Sequence, residues 1–194
     1  MIRFLCLALI LVSLSLSAAE YSIDSGHSEV AFKVRHLGIS KVSGRFDDFS
    51  GTVHWDPAHP EASRVDAVIG MSSIDTDSEK RDRHLQNEDF FDVEKYPEMT
   101  FSSTRVREIS DGGFLLDGEL SLHGESKPVT LEVELVGQMT DPRGNLRAGF
   151  SARTKIDRRD FGISWSRTMD GGGLVVGNFV EVSIEIEAIS RMGE

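Results

Sequence analysis

The chain holds one cysteine in 194 residues, and that one, Cys6, stands within the first ten. An internal disulfide is therefore excluded, as is a thiol pair or a cysteine-rich metal site. Cations are also scarce. Lys and Arg number 21 against 32 Asp and Glu, for a formal charge of −11. A surface of that sign is a poor partner for nucleic acid, and it argues against a polybasic membrane-surface role. It places no limit on a neutral lipid carried inside. Long apolar stretches are missing too: the run after Arg3, FLCLALILVSLSLS, holds 11 apolar residues, too few for a strong membrane span.

That run has another use. Arg3 supplies a positive start, and Ser17-Ala18-Ala19 puts small residues where a signal peptidase cuts. Residues 1–19 are expected to be a secretory signal, and residues 20–190 a single domain. The mature protein is then periplasmic or secreted, with no stable membrane insertion. Cleavage near Ala19 leaves 175 residues, removes Cys6, and takes the charge to −12 through the loss of Arg3. A chain of that length can build a full core.

Catalytic signatures are absent as well. No G-x-S-x-G occurs, and GGGLVVG lacks the Lys-Ser/Thr of a phosphate loop, so it reads as a turn before a strand. His123-Gly124-Glu125 has the H-x-E of a zinc deaminase without its cysteines. The six histidines show no metal-ligand spacing. No nucleophile stands beside an evident base, so the reading is of a non-enzyme without a cofactor.

Alternation of period two dominates what is present. Val30, Phe32 and Val34 share one face of SEVAFKVRH. Phe114, Leu116, Gly118, Leu120 and Leu122 share one face of GFLLDGELSLHG. VTLEVEL, LRAGFSART and VEVSIEIEA repeat the pattern with Val133, Phe150 and Ile184 among their apolar rows, and GTVHW, RVDAVIGM and MTFSS are shorter examples. These make about eight strands, each with one wet and one dry face, the mark of an antiparallel sheet buried on one side. Such a sheet must close into a barrel or stack as a sandwich, and alternation does not separate the two. Ala67, Gly118, Ala148 and Ala152 fall in the dry rows. They leave room for a slim ligand in an eight-stranded barrel, or they fit the taper of a packed one.

One stretch departs from the pattern. Between Glu79 and Asp89 there is no Gly or Pro, Asp75, Asp77 and Ser78 offer N-caps, and acids precede bases, which predicts a short helix. His84 and Glu88 share a helical face with Asp82 nearby. That set supports an alternative reading, a secreted metal-dependent enzyme, although a helical salt bridge accounts for the same spacing. His36 continues the inward row of Val30, Phe32 and Val34, and reads either as a polar group at a ligand mouth or as a core histidine.

Four segments carry a resemblance. They are YSIDSGHSEVAFKVRHLGISKVSGRFDDFSGTV, SSIDTDSEKRDRHLQNEDFFDVEKYPEMTFSS, GELSLHGESKPVTLEVEL, and DRRDFGISW followed by VGNFVEVSIEIEA. Together they make the chain resemble the YceI-like proteins, a lipid- or polyisoprenoid-binding family. The resemblance implies an all-β fold: an extended, eight-stranded, antiparallel, lipocalin-like barrel with a short helix packed alongside. It also implies an apolar channel for an amphiphile such as an isoprenoid quinone, a polyprenyl chain or a fatty-acid derivative, and some members are homodimers. In such a barrel Phe32, Val34, Leu120, Val133, Phe150 and Ile184 are expected along the channel. His36, Arg81 and Asp82 are expected at its head-group end, with Phe161 and Trp165 lining it too.

Overall fold

The computed structural model describes residues 19–110, 112–168 and 173–190. Most of the expected signal peptide, residues 1–18, and most of the expected GGG turn lie outside the described residues. Eleven strand segments form one sheet: β1 (Ala19–Ile23), β2 (Glu29–His36), β3 (Ser40–Phe46), β4 (Phe49–Trp55), β5 (Arg64–Gly70), β6 (Ile74–Asp75), β7 (Glu98–Ser110), β8 (Gly113–Leu122), β9 (Glu125–Thr140), β10 (Leu146–Asp157) and β11 (Val176–Ser190). Among the described residues a single α-helix, α1 (Glu79–Gln86), lies between β6 and β7.

The segments reduce to eight strands because three of them are creased. β1 and β2 both pair with β11, β3 and β4 pair with β2 and β1, and β5 and β6 pair with β4 and β3. Each couple is one long strand broken by a short irregularity. The breaks are a 3-10 turn at Ser25–His27, a bend at Asp47-Asp48 and a 3-10 turn at Met71–Ser73. Backbone bonds stitch the last two breaks together, Gly70 N to Asp48 O at 2.9 Å and Asp47 N to Ser73 O at 3.3 Å. Every neighbouring pair is antiparallel, and the β1–β11 pairing closes the sheet. The fold is thus a closed, eight-stranded, up-and-down barrel with one short helix, and closure removes exposed sheet edges.

Side-chain parity sets which face is inside. On β11, Val180, Val182, Ile184 and Ile186 face the interior while Glu181 and Glu185 are exposed. Two packed clusters hold the ends apart. One gathers Trp55, Phe101, Leu116 and Phe150, the other Phe46, Phe49, Met71, Phe90 and Phe161. The turn from β8 to β9 is His123-Gly124, both at positive φ, the geometry of a two-residue hairpin that matches strand twist. The helix starts at Ser78, whose side chain makes no capping bond. Asp82 accepts from Thr76 N at 3.0 Å and from the Thr76 hydroxyl. No described helix is long and apolar enough to cross a membrane.

Candidate ligand-binding site

The dry rows of the eight strands do not fill the space between them. They enclose a cavity of about 240 Å³ whose surface is apolar throughout. Val34, Val53, Ala67, Met99, Leu120, Val133, Ala152 and Ile184 each represent a different strand on its wall. That volume is below the range of drug-sized pockets and equals about eight waters at roughly 30 Å³ each. A slim apolar chain meets carbon on nearly all sides here.

The cavity is long. Phe150 and Arg158 both line it and are eight residues apart along β10 and its extension, which is about 26 Å of extended chain. At the Phe150 end, Trp55 stacks on Phe114 at 6.0 Å and meets Phe150 edge-on at 5.3 Å. The indole N–H of Trp55 donates to Gln138 Oε1 at 3.3 Å, so its polar edge is satisfied away from the cavity. Ser63 lies on this wall too, and its buried hydroxyl has no partner among the described residues.

At the other end, Arg158 is buried, 5% exposed. Its guanidinium donates to Gly177 O at 2.9 Å, Ile163 O at 2.6 Å and Val176 O at 3.4 Å. Among the described residues no carboxylate forms an ion pair with it. Neighbouring Asp157 bonds Arg159 instead, at 2.9 and 3.2 Å. Burial lowers the Arg158 pKa from its ordinary value, and attraction to Asp157 opposes that shift. The side chain ties the end of β10 to the chain entering β11 and closes that end of the barrel without showing polar surface to the cavity.

A model of the YceI-like domain matches residues 21–188. The chain belongs to the YceI-like family. A UPF0312 protein of Shewanella sp. is 38% identical over 184 residues, covering 94% of this chain and 93% of that protein. The solved YceI protein of Campylobacter jejuni is 35% identical, with a TM-score of 0.70 over 87% of this chain and 96% of that one. A domain from Saccharophagus degradans, described as polyisoprenoid-binding, shares the fold at a TM-score of 0.62 and 18% identity, over 90% of this chain and 99% of that one.

Within this YceI-like barrel the expected site residues divide. Phe32, Val34, Leu120, Val133, Phe150 and Ile184 all line the cavity. The other five do not. His36 is the last residue of β2, half-buried opposite Ser40 and Val176. Arg81 donates to the Thr76 hydroxyl and carbonyl, and with Asp82 it fixes the start of α1 on β6. Phe161 is a packed core residue, 2% exposed. Its carbonyl lies 3.1 Å from His123 Nδ1, and the His123 ring packs on Tyr96 at 4.7 Å. Trp165 packs on Phe90 and His84, each at 5.0 Å between ring centres.

The residues of the metal-enzyme alternative turn to separate partners. His84 Nε2 is 3.1 Å from Asp89 Oδ2, and Asp82 is held by Thr76. Glu88 is exposed and makes no ion pair among the described residues. Asp24, His27 and Glu187 do come together, yet Arg147 already bonds both carboxylates. Of the small inward residues, Ala67 and Ala152 line the cavity, while the space over Gly118 is taken by the Phe101 ring.

Sequence reasoning passed over Arg158 and Ser63. Arg158 was within reach: the inward parity of Phe150 and Ala152, carried on through Thr154 and Ile156, arrives at it. Ser63 follows a proline-initiated 3-10 turn, where alternation gives no signal.

Proposed function

We propose that the protein is an exported, non-catalytic carrier of an amphiphilic lipid, an isoprenoid quinone, polyprenyl chain or fatty-acid derivative, whose tail occupies the barrel cavity. One observation carries this reading: a cavity walled by apolar side chains from all eight strands. The polyisoprenoid-binding description of the Saccharophagus domain and the membership in the YceI-like family support it. Burying a methylene is worth about 0.8 kcal/mol, so a tail of about 12 carbons gives roughly 10 kcal/mol before ordering and association costs. After an association cost of at least about 4 kcal/mol, that leaves affinity of roughly tens of micromolar without a single polar contact. Selectivity then rests on tail length, branching and whatever the head group meets at the mouth. Export is supported by the leader-like residues 1–19.

Organic extraction of the protein purified from its own source, followed by mass spectrometry, tests the proposal. A stoichiometric isoprenoid or acyl lipid is expected. An empty extract, together with no uptake of added quinones or fatty acids, rules it out.

A further inference from the structure

The turn between β2 and β3 stands clear of the barrel. Ile39 is 86% exposed and Leu37 37% exposed, and a β-carbon built at Gly38 would meet nothing within 4 Å. Leu37 N donates to Val175 O at 2.9 Å, which fixes the turn beside Leu174, itself 38% exposed. Val34 and Val176 on either side line the cavity. Among the described residues, neither core cluster includes Ile39.

The charge around this tip is opposite to that of the whole molecule. Residues 33–41, KVRHLGISK, contain Lys33, Arg35 and Lys41 and no acid. All three cations are exposed. Glu181 faces them from β11, bonded to Lys41 at 2.6 Å, with its pKa lowered by Lys41 first and then by Lys155 and Arg35. Among the described residues, the Glu181 carboxylate thus faces Lys41, Lys33 and Arg35. The net charge of −11 does not cancel this local excess, because charges more than about 8 Å away are screened at physiological salt.

We propose that the β2–β3 turn is a docking surface for an anionic lipid bilayer, with Ile39 and Leu37 entering the interface and Lys33, Arg35 and Lys41 meeting headgroup phosphates. The choice of a bilayer rests on the carrier reading, since a lipid carrier must take its cargo from one. The overall charge alone argues against such a role, and the placement of these residues makes the tip a local exception. Contact of this kind is shallow and reversible, since a single turn provides few apolar groups and about one unit of attraction per cation.

Flotation of the full chain with vesicles tests the proposal, using phosphatidylcholine alone and phosphatidylcholine with about 30% phosphatidylglycerol, a surface that attracts basic residues. Binding to the anionic vesicles is expected, weakened by salt well above about 0.1 M. Ile39→Asp is expected to abolish it, and Arg35→Gln to weaken it about fivefold. Both positions are exposed, and circular dichroism checks that the barrel persists. If wild type binds neither vesicle, or Ile39→Asp binds as well as wild type, the docking surface is refuted. Uptake of a quinone from solution is measured in parallel. Normal uptake without vesicle binding refutes the docking surface and leaves the carrier reading standing. Vesicle binding lost in Ile39→Asp, in a protein that takes up no lipid, refutes the carrier reading and upholds the surface.

Discussion

Phe32 lies directly across the β2–β3 ladder from Gly44, and its ring folds over the glycine so closely that a β-carbon there would sit 2.4 Å from Phe32 Cζ. The same ring lines the cavity. Glycine at 44 therefore sets where Phe32 rests, and so sets the width of the cavity beside it.

Gly44→Ala is expected to force the Phe32 ring off its seat and to cost about 1 to 3 kcal/mol, the usual range for overpacking a filled site. Urea unfolding measures the loss. The double variant with Phe32→Ala should recover part of it, since the two residues share one contact. Additive losses would show that the ring has free room to move.

This pair also shows why one stretch of the barrel was hard to read. The inward row of β3 is Val42, Gly44 and Phe46, and the glycine breaks the apolar alternation because an aromatic ring from the next strand fills its place. β1 and β6 are short continuations beyond a crease, too brief to show a period. The eight longer segments had clear alternation, one from each strand, so strand number, the dry faces and six wall positions were legible. The far end was not. Parity predicts an inward His36 only while β2 continues, and β2 stops at His36. Parity extended along β10 finds Arg158, but whether a buried cation meets a ligand or backbone carbonyls is decided by the chain entering β11, which is distant in sequence. For Arg81 and Asp82 the local partner, Thr76, was the stronger claim on both side chains.

Ser63 offers a test of the dryness of the cavity. Its hydroxyl is buried on an apolar wall with no partner among the described residues. Burying an unbonded hydroxyl costs about 1 to 3 kcal/mol, and the unfolded chain returns it to water. Ser63→Ala is expected to leave stability unchanged or raise it by about 1 kcal/mol. A clear fall in the thermal midpoint would mean that the hydroxyl has a bonded partner, such as an enclosed water.

Asp141 sets an acid limit in the β9–β10 turn. Its carboxylate accepts from Asn145 Nδ2 and N, each at 3.0 Å, from Arg143 N at 2.8 Å and from Arg147 Nε at 3.2 Å. Asn145 first, then Arg147, hold its pKa down to about 2. A carboxylate lowered in the folded state stabilises fully above its unfolded pKa of about 4 and loses that contribution as pH falls toward about 2. The stability gap between wild type and Asp141→Asn should therefore be constant above about pH 5 and shrink between about pH 4 and 2. Urea midpoints of both proteins across that range give the answer. A gap independent of pH would show that the hydrogen bonds do not depend on the charge.

Leu120 is the position at which fold and cargo separate most cleanly. It sits on β8, half-buried, with its side chain on the cavity wall and Lys127 opposite it on β9. Tryptophan at 120 adds its bulk to a space of about 240 Å³ without displacing a packed neighbour in every direction. The expected cost to stability is small for an enlarged core residue, at or below the lower end of the usual range of about 1 to 3 kcal/mol, because the ring has empty volume to enter. Uptake of a fluorescent acyl or prenyl probe should fall at least tenfold, the equivalent of about 1.4 kcal/mol. The empty wild type and Leu120→Trp are then expected to unfold alike, while added lipid raises the midpoint of wild type alone, since a ligand stabilises only the state that binds it. Equal ligand-induced shifts in the two proteins would place the lipid outside this cavity.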